Sequence, residues 1–178
     1  MANNDLPNLA WIGTGVMGSS MCGHLLAAGY PVKVFNRTKE RAVPLLEQGA
    51  QWSASPAEAA KGADIVMSIV GYPADVREVV LGDQGTLSTA EEGTLLVDMT
   101  TSEPQLAREI FEAAEAKGVG SLDAPVSGGD VGARNASLVV MVGGKEEAFD
   151  RALPVLQRLG KVVTYEGGAG AGQHTKMV

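Results

Sequence analysis

Short apolar runs alternate along this chain with longer stretches that mix apolar and polar positions. The run Asp64–Val70 (D-I-V-M-S-I-V) is almost continuously apolar, which is typical of a strand covered on both faces of a sheet. Similar runs recur almost to the end of the chain and predict further strands. The predicted strands are a run beginning at Leu9, Pro31–Phe35, Ala50–Trp52, Asp64–Val70, Thr94–Met99, Val119–Asp123, Leu138–Val142 and Lys161–Tyr165.

The stretches between these runs carry the start signals of helices. Ser55-Pro56-Ala57-Glu58 combines a capping serine, a proline at the first helical position and a glutamate three residues after the cap. The predicted helices are Met17–Ala28, Lys39–Gln48, one opening at Ser55, Tyr72–Leu81, one from Ser102 to about Lys117, and Glu146–Leu159. This alternation predicts the α/β class, with a Rossmann-like, doubly wound, mainly parallel sheet and helices on both of its faces.

Composition agrees with one globular domain of this kind. The 178 residues are enough to bury a substantial core, and 45 % apolar with 20 % charged residues is ordinary for a globular chain. The 23 glycines and the low aromatic content of 4 % suit closely packed layers of helix on sheet.

The net charge and the N-terminal sequence argue against several classes of partner and location. The net charge of −7 and the lack of any Lys/Arg-rich run argue against nucleic acid or an anionic membrane as a partner. No apolar stretch reaches the length of a membrane span, and the N-terminus M-A-N-N-D lacks a basic segment followed by an apolar one. We therefore expect a cytoplasmic protein. Cys22, the single cysteine, cannot form an internal disulfide and is expected to pack as a small hydrophobe in the first helix.

A glycine-rich turn follows the first predicted strand and opens the first predicted helix. Gly13, Gly15 and Gly18 have the G-x-G-x-x-G spacing of a dinucleotide-binding turn. Gly13 allows the tight turn, Gly15 lets the backbone approach a pyrophosphate, and Gly18 lets the helix pack close to its strand. A second strand then completes a βαβ unit. The predicted phosphate-binding residues are Gly13, Thr14, Gly15, Val16, Met17 and Gly18.

The end of the second predicted strand indicates which dinucleotide is bound. An acidic residue at this place hydrogen-bonds the 2′-hydroxyl of the adenosine ribose in NAD-binding folds. This chain instead has Asn36-Arg37-Thr38, with no carboxylate until Glu40. Since a guanidinium pairs well with a phosphate, and Asn36 and Thr38 offer further donors, the sequence favours NADP over NAD as cofactor.

Three further segments carry candidate ligand-binding residues, and the first two follow strands, at whose carboxyl ends open α/β sheets bind ligands. Asp123-Ala124-Pro125-Val126-Ser127-Gly128-Gly129 follows one strand, and Asp98-Met99-Thr100-Thr101-Ser102 closes another. Two glycines after a serine expose backbone N–H groups that can hold a carboxylate. Gly170-Ala171-Gly172-Gln173-His174-Thr175-Lys176 lies at the C-terminus. Together these segments predict a site for a small carboxylate substrate.

These motifs resemble those of the β-hydroxyacid dehydrogenase family, which includes 3-hydroxyisobutyrate dehydrogenases and the tartronate, glyoxylate and succinic semialdehyde reductases. The resemblance covers essentially the whole chain and rests on four motifs in the same order: I-G-T-G-V-M-G, D-M-T-T-S, D-A-P-V-S-G-G and G-A-G-Q-H-T-K. It implies an NADP-dependent oxidoreductase of small 3-hydroxy acids or semialdehydes, because Asn36-Arg37-Thr38 looks like the NADP-preferring version of the family.

The resemblance also implies roles for particular residues. Lys176 matches the catalytic lysine, and Thr101 matches the residue near the nicotinamide. Val70 and Gly71 match the loop that passes the cofactor. The substrate-carboxylate loop is matched by Ser127, Gly128 and Gly129.

The expected chemistry is hydride transfer with a lysine as general acid or base. Reduction of a carbonyl needs a proton at its oxygen, and oxidation of the hydroxyl needs a base there. His24 and His174 occupy no position that this chemistry requires. No His, Cys and carboxylate set has metal-ligand spacing, so a metal is not expected.

The family pattern continues past the lysine into an all-helical second domain, which this sequence does not contain. The expected division is a dinucleotide-binding domain at residues 1–165 and the start of an interdomain helix at 166–178. We expect a truncated domain that folds and binds NADP(H) but turns over little, with homo-oligomers formed by the full-length protein. The alternative is a non-catalytic NADP-binding or sensor module, which would not need Lys176.

Overall fold

The strands lie close to the predicted apolar runs. The computed structural model of the chain describes residues 5–178. These residues form nine strands: β1 Leu9–Ile12, β2 Val32–Phe35, β3 Gln51–Trp52, β4 Ile65–Ser68, β5 Leu95–Asp98, β6 Gly120–Asp123, β7 Val126–Ser127, β8 Leu138–Gly143 and β9 Gly160–Gly167.

Helices connect these strands, as the alternation predicts. The segments Lys39–Ala42 and Thr86–Ser88 are short 3₁₀ turns. The α-helices are α1 Val16–Ala27, α2 Val43–Glu47, α3 Pro56–Ala60, α4 Pro73–Leu81, α5 Pro104–Glu115, α6 Gly129–Arg134, α7 Glu146–Leu156 and α8 Ala171–Met177.

One sheet contains all of these strands. Its first part has the order β3-β2-β1-β4-β5-β6 with parallel pairing throughout, which is the doubly wound order of dinucleotide-binding folds. β8 then pairs antiparallel with β6 and β7, and β9 pairs parallel with β8. The predicted mainly parallel, Rossmann-like fold is therefore confirmed.

The continuous apolar runs arise because each central strand feeds two cores. On β1, Leu9 and Trp11 enter one buried cluster with Met21 and Leu25 of α1. The intervening β1 residues enter a second cluster, on the other face, with residues of α3, α4 and α5. Helices on both faces exclude water from the sheet, so polar residues in these strands concentrate at the strand ends.

Some elements differ from the predicted ones. The predicted helix Lys39–Gln48 is divided into a 3₁₀ turn and α2, because Pro44 lies in the first turn of α2 and lacks an amide donor. The helix α6, in the glycine-rich stretch after Ser127, was not predicted. It is stabilised by packing of Gly132 and Ala133 and by a 2.8 Å hydrogen bond between His24 Nε2 and the Ala133 carbonyl oxygen.

The C-terminal segment lies against the sheet. β9 continues to Gly167, past the boundary at residue 165 that the sequence suggested, and α8 packs against β6, β8 and β9. Among residues 5–178, no helix combines the length and apolar character needed to cross a bilayer.

Cys22 packs inside the domain, as its position in the first helix predicts. The side chain is fully buried, and burial raises the pKa of its thiol to about 12. The neutral thiol therefore behaves as a small core hydrophobe.

The close contact between α1 and β1 predicts opposite effects of alanine at two glycines of the same helix. A Cβ at Gly18 would overlap the Gly13 carbonyl oxygen and lie 3.1 Å from Ile69 Cγ2, whereas a Cβ at Gly23 meets only Gln48 Oε1 at 3.5 Å. Gly18→Ala should lower the free energy of unfolding by about 1–3 kcal/mol, because overpacking outweighs helix propensity. Gly23→Ala should raise it by about 0.5–1 kcal/mol. Urea denaturation of both variants tests this; equal effects would contradict it.

Candidate functional site

The turn between β1 and α1 brings three polypeptide segments into close contact. Gly13 has φ of 104°, and a Cβ there would overlap the carbonyl oxygen of Ile69 at the end of β4. A Cβ at Gly18 would likewise overlap the carbonyl oxygen of Gly13. At Gly15 an added Cβ would meet no protein atom within 4 Å, and φ is an ordinary −69°. Packing therefore requires glycine at 13 and 18 but not at 15.

A cleft of about 970 Å³ opens at this turn. It lies at the carboxyl ends of β1 and β4, where the strand order reverses, which is the usual ligand position in such sheets. Thr14 is the one predicted cofactor residue that does not line it; this residue is buried, and its amide donates to Asn36 Oδ1 at 2.9 Å. The predicted residues that line it are Gly13, Gly15, Val16, Met17, Gly18, Asn36, Arg37, Thr38, Val70, Gly71 and Thr101.

The sequence did not identify several further residues that shape this cleft. Thr100 Oγ1 accepts the Val70 amide at 3.0 Å, so it ties the loop after β4 to the loop after β5. Arg41, Asp75, Glu78 and Asp83 also line the cleft. They lie on short helices and turns whose sequences carry no motif, and only the fold brings them together.

The segment Asn36-Arg37-Thr38 forms hydrogen bonds and an ion pair with other residues of the protein. Asn36 accepts the Thr14 amide and donates from Nδ2 to the Thr38 carbonyl at 2.8 Å, so this side chain braces the glycine turn. Arg37 Nη2 lies 3.0 Å from Asp75 Oδ1, with the arginine side chain 76 % exposed. Asp75 is itself fixed, since its Oδ2 accepts the Tyr72 amide at 2.9 Å. The guanidinium is thus held at the rim of the cleft by an exposed ion pair.

The second predicted constellation lies beside this cleft. Gly128 and Gly129 have φ of 132° and 61°, which glycine adopts freely. Lys176 Nζ donates to Ser127 Oγ at 2.6 Å, so the C-terminal motif contacts the serine-glycine loop. Val126 lines the cleft, and Ser127 is the next residue along β7. Lys176 therefore lies next to the cleft.

Two buried polar residues fasten α8, which carries Lys176. Asp123 accepts the amides of Gly170 and Gln173 at 2.8 and 2.9 Å, and the Gln173 side chain bonds the backbone of Thr100 and Ser102. Asp123 and Gln173 belong to the quoted motifs, but the sequence offered no sign of what they contact.

Asp98 ends β5 and is paired in register with Asp123 on β6. Desolvation raises the pKa of Asp98 from 3.8 to about 6. Hydrogen bonds from Thr100 and Ser68 oppose this increase, and the nearby Asp123 carboxylate adds to it. The protonated form is therefore favoured over a wider pH range than in a solvated aspartate.

His174 is exposed on α8, and His24 contacts α6 away from the cleft. Within residues 5–178, no group of three or more His, Cys, Asp or Glu side chains converges as a metal site would require.

Comparison with known proteins identifies the family. Residues 8–167 match the sequence profile of the NAD-binding domain of 6-phosphogluconate dehydrogenase. A probable mitochondrial 3-hydroxyisobutyrate dehydrogenase-like protein of Arabidopsis thaliana is 52 % identical over 170 residues, 95 % of this chain and 51 % of that protein. A 3-hydroxyisobutyrate dehydrogenase of Pseudomonas aeruginosa is 42 % identical over 172 residues, 97 % of this chain and 58 % of that protein. The chain thus spans between half and three fifths of these relatives.

Solved structures of similar proteins support the same family. The 3-hydroxyisobutyrate dehydrogenase of Mycobacterium tuberculosis, solved with L-serine, superposes with a TM-score of 0.91 at 36 % identity, covering 96 % of this chain and 58 % of that one. An imine reductase of Myxococcus stipitatus in complex with NADP+ superposes with a TM-score of 0.84 at 28 % identity, covering 96 % and 58 %. A variant of that enzyme was solved with NAD+.

The raised pKa of Asp98 predicts a pH-dependent contribution to stability. The unfolded carboxyl ionises near its ordinary value of 3.8 and the folded one near 6, so the folded state binds more protons between these values. The contribution of Asp98 therefore falls as pH rises from about 4 to about 6 and is constant above. Asp98→Asn should remove this dependence, a difference on the order of 2–3 kcal/mol between pH 4 and 7. Denaturation of both proteins across this range measures it, and parallel stability curves would contradict it.

Proposed function

The chain belongs to the family of NAD-binding domains found in 6-phosphogluconate dehydrogenase, and we propose that it serves an NADP-dependent oxidoreductase of small 3-hydroxy acids or their semialdehydes. The observation that carries this proposal is the contact between Lys176 and Ser127 beside the cofactor cleft. Lys176 can transfer a proton there, and the loop that contains Ser127 can bind a carboxylate. Carbonyl reduction of such a substrate then requires only the hydride in addition.

Binding of the dinucleotide is supported by the glycine turn. Since neither φ nor protein packing requires glycine at position 15, close approach of a ligand is the remaining physical reason for it. The turn leads directly into the N-terminus of α1, a twelve-residue helix with no acidic residue in its first turn. Free amides and the helix dipole at this point favour the anionic pyrophosphate.

Preference for NADP rests on Arg37. The end of β2 carries no carboxylate to bind a ribose 2′-hydroxyl, and Arg37 lies at the rim of the cleft. Its ion pair with Asp75 is exposed, and such pairs contribute at most about 1 kcal/mol. A 2′-phosphate forms stronger, charge-assisted hydrogen bonds with a guanidinium and can therefore compete with Asp75 for this side chain.

We propose that the substrate carboxylate binds the Ser127-Gly128-Gly129 loop. The left-handed backbone of both glycines turns the chain sharply, and a Cβ at Gly129 would meet no protein atom within 4 Å, so the loop is open to a ligand. This arrangement suits a short substrate whose reacting carbon reaches the cleft from the loop.

Lys176 then acts on the substrate oxygen. When bound, the reduced nicotinamide supplies a hydride to the carbonyl carbon. The Lys176 ammonium donates a proton to the oxygen as negative charge develops there, and the neutral amine accepts the proton in the reverse direction. The Ser127 hydroxyl accepts a hydrogen bond from Nζ and so holds the lysine beside the cleft.

Removing the guanidinium should equalise the two cofactors. We expect the 178-residue chain to bind NADP(H) more tightly than NAD(H), and Arg37→Ala to weaken NADP(H) binding about ten- to a hundred-fold with little change for NAD(H). Nicotinamide fluorescence titration measures both. Arg77→Ala is the matched control, because Arg77 pairs with Glu109 outside the cleft. Equal affinities of the unmodified chain for both cofactors would rule out the preference.

Removing the lysine should affect turnover and not cofactor binding. Wherever semialdehyde reduction can be measured, in this chain or in a longer protein containing it, Lys176→Ala should lower kcat about 10²–10⁴-fold. Cofactor affinity should stay within about twofold, because Lys176 does not line the cofactor cleft. Lys161→Ala, an exposed lysine on β9, serves as control. A variant that retains more than a tenth of the original turnover would rule out this role for Lys176.

A further inference from the structure

We propose that Asp123 and Gln173 are positioning residues that hold Lys176 and the Thr101 loop in one fixed arrangement. The proposal rests on the proposed catalytic role of Lys176. Neither side chain lines the cofactor cleft, and neither forms a hydrogen bond with Lys176. They act through α8 and through the backbone on both sides of Thr101.

Asp123 supplies the N-terminal cap that α8 lacks. The residue before α8 is Gly170, which has φ of 89° and no side chain to cap the helix. Asp123, at the end of β6 and 5 % exposed, places Oδ1 2.8 Å from the Gly170 amide and Oδ2 2.9 Å from the Gln173 amide. A buried carboxylate at a helix N-terminus is bound by both the amides and the helix dipole. The first turn of α8 is therefore anchored to β6.

Gln173 anchors the same turn to the loop after β5. Its side chain is 1 % exposed, Oε1 accepts the Ser102 amide at 2.8 Å, and Nε2 donates to the Thr100 carbonyl at 2.7 Å. These two bonds lie on either side of Thr101, which lines the cofactor cleft. An amide side chain is required, because one end must accept and the other must donate. Gln173 thus links the cleft-lining loop to the helix that carries the lysine.

The first turn of α8 packs closely against the sheet. A Cβ at Gly172 would lie 2.7 Å from the Asp123 carbonyl oxygen, and a Cβ at Gly143 would lie 2.7 Å from the Gly172 amide nitrogen. The start of α8 therefore rests directly on the backbone of two strands, and only glycine at both positions permits this approach.

One segment of chain consequently fixes both ends of α8. Asp123 binds its first turn, and Ser127, four residues later, binds Lys176 in its last turn. The seven residues of α8 span only about 10 Å, so a shift of the first turn moves Lys176 with it. Since a displacement of about 1 Å at a reacting group can reduce a rate about 10²-fold, this anchoring bears directly on catalysis.

Asp123→Asn tests the anchor. The asparagine retains one acceptor oxygen but no charge, and its amino group cannot accept an amide hydrogen. We expect exchange of the Gly170 and Gln173 amide hydrogens to accelerate about ten- to a hundred-fold, as loss of a charged hydrogen bond implies. Acylation of Lys176, measured against exposed Lys161 by mass spectrometry, should rise at least threefold. NADP(H) affinity should stay within about twofold.

A second variant and two controls make the test specific. Gln173→Met keeps the length and bulk of the side chain but removes both polar contacts, and it should increase Lys176 acylation in the same way. Asp64→Asn removes a carboxylate that accepts a backbone amide elsewhere, that of Asn8 at 2.7 Å, and His174→Ala removes an exposed side chain of the same helix. Both controls should leave Lys176 acylation unchanged.

Three results would overturn the proposal. The first is unchanged exchange at Gly170 and Gln173 in Asp123→Asn, and the second is unchanged acylation of Lys176 in both test variants. The third is faster exchange throughout β1 and β5 with loss of cofactor binding, which would make these residues general supports of the fold. Where turnover is measurable, kcat should fall at least tenfold in Asp123→Asn with an unchanged cofactor KM. Failure of the proposed function is recognised separately, by full turnover in Lys176→Ala with the acylation effects retained.

Discussion

The central parallel strands β1, β4 and β5 are covered by helices on both faces, and this burial governs the rest of the molecule. A strand with two buried faces has no place for polar side chains except at its ends. Parallel neighbours also need crossover connections, which bring all carboxyl ends to one edge of the sheet. The two cores therefore force the polar chemistry of this chain into a single region. The cofactor cleft and the Lys176–Ser127 contact both lie there.

At this edge, most polar side chains connect loops to one another. Asn36 braces the glycine turn, Thr100 joins the loops after β4 and β5, and Asp123 and Gln173 fasten α8. Each of these groups satisfies buried backbone amides or carbonyls that would otherwise cost free energy. Arg37 differs, because its exposed pairing with Asp75 leaves it able to exchange partners. Hydrogen-bonded loops beside an exposed guanidinium suit a site that binds a large anionic cofactor in a defined orientation.

The departures from sequence-based expectation share a physical cause. Helix α6 was missed because its glycine-rich sequence has low intrinsic helix propensity, and contact with α1 stabilises it. The Arg37–Asp75 pair joins residues 38 positions apart, and no local pattern indicates it. Asn36 was expected to offer donors to the cofactor, yet the fold employs its polar atoms within the protein. In each case a tertiary contact decided the outcome.

The sequence by itself determined the alternation of strands and helices and the place of the glycine turn, and it predicted Lys176 and Ser127 as residues of one site. These follow from local periodicity, glycine spacing and the order of motifs, all of which are written along the chain. Only the tertiary structure decided which side chains remain available at the site and which hold it together. The reason is that Asp123 and Gln173 hydrogen-bond backbone groups up to 73 residues away along the chain, and such residues come together only when the sheet is assembled.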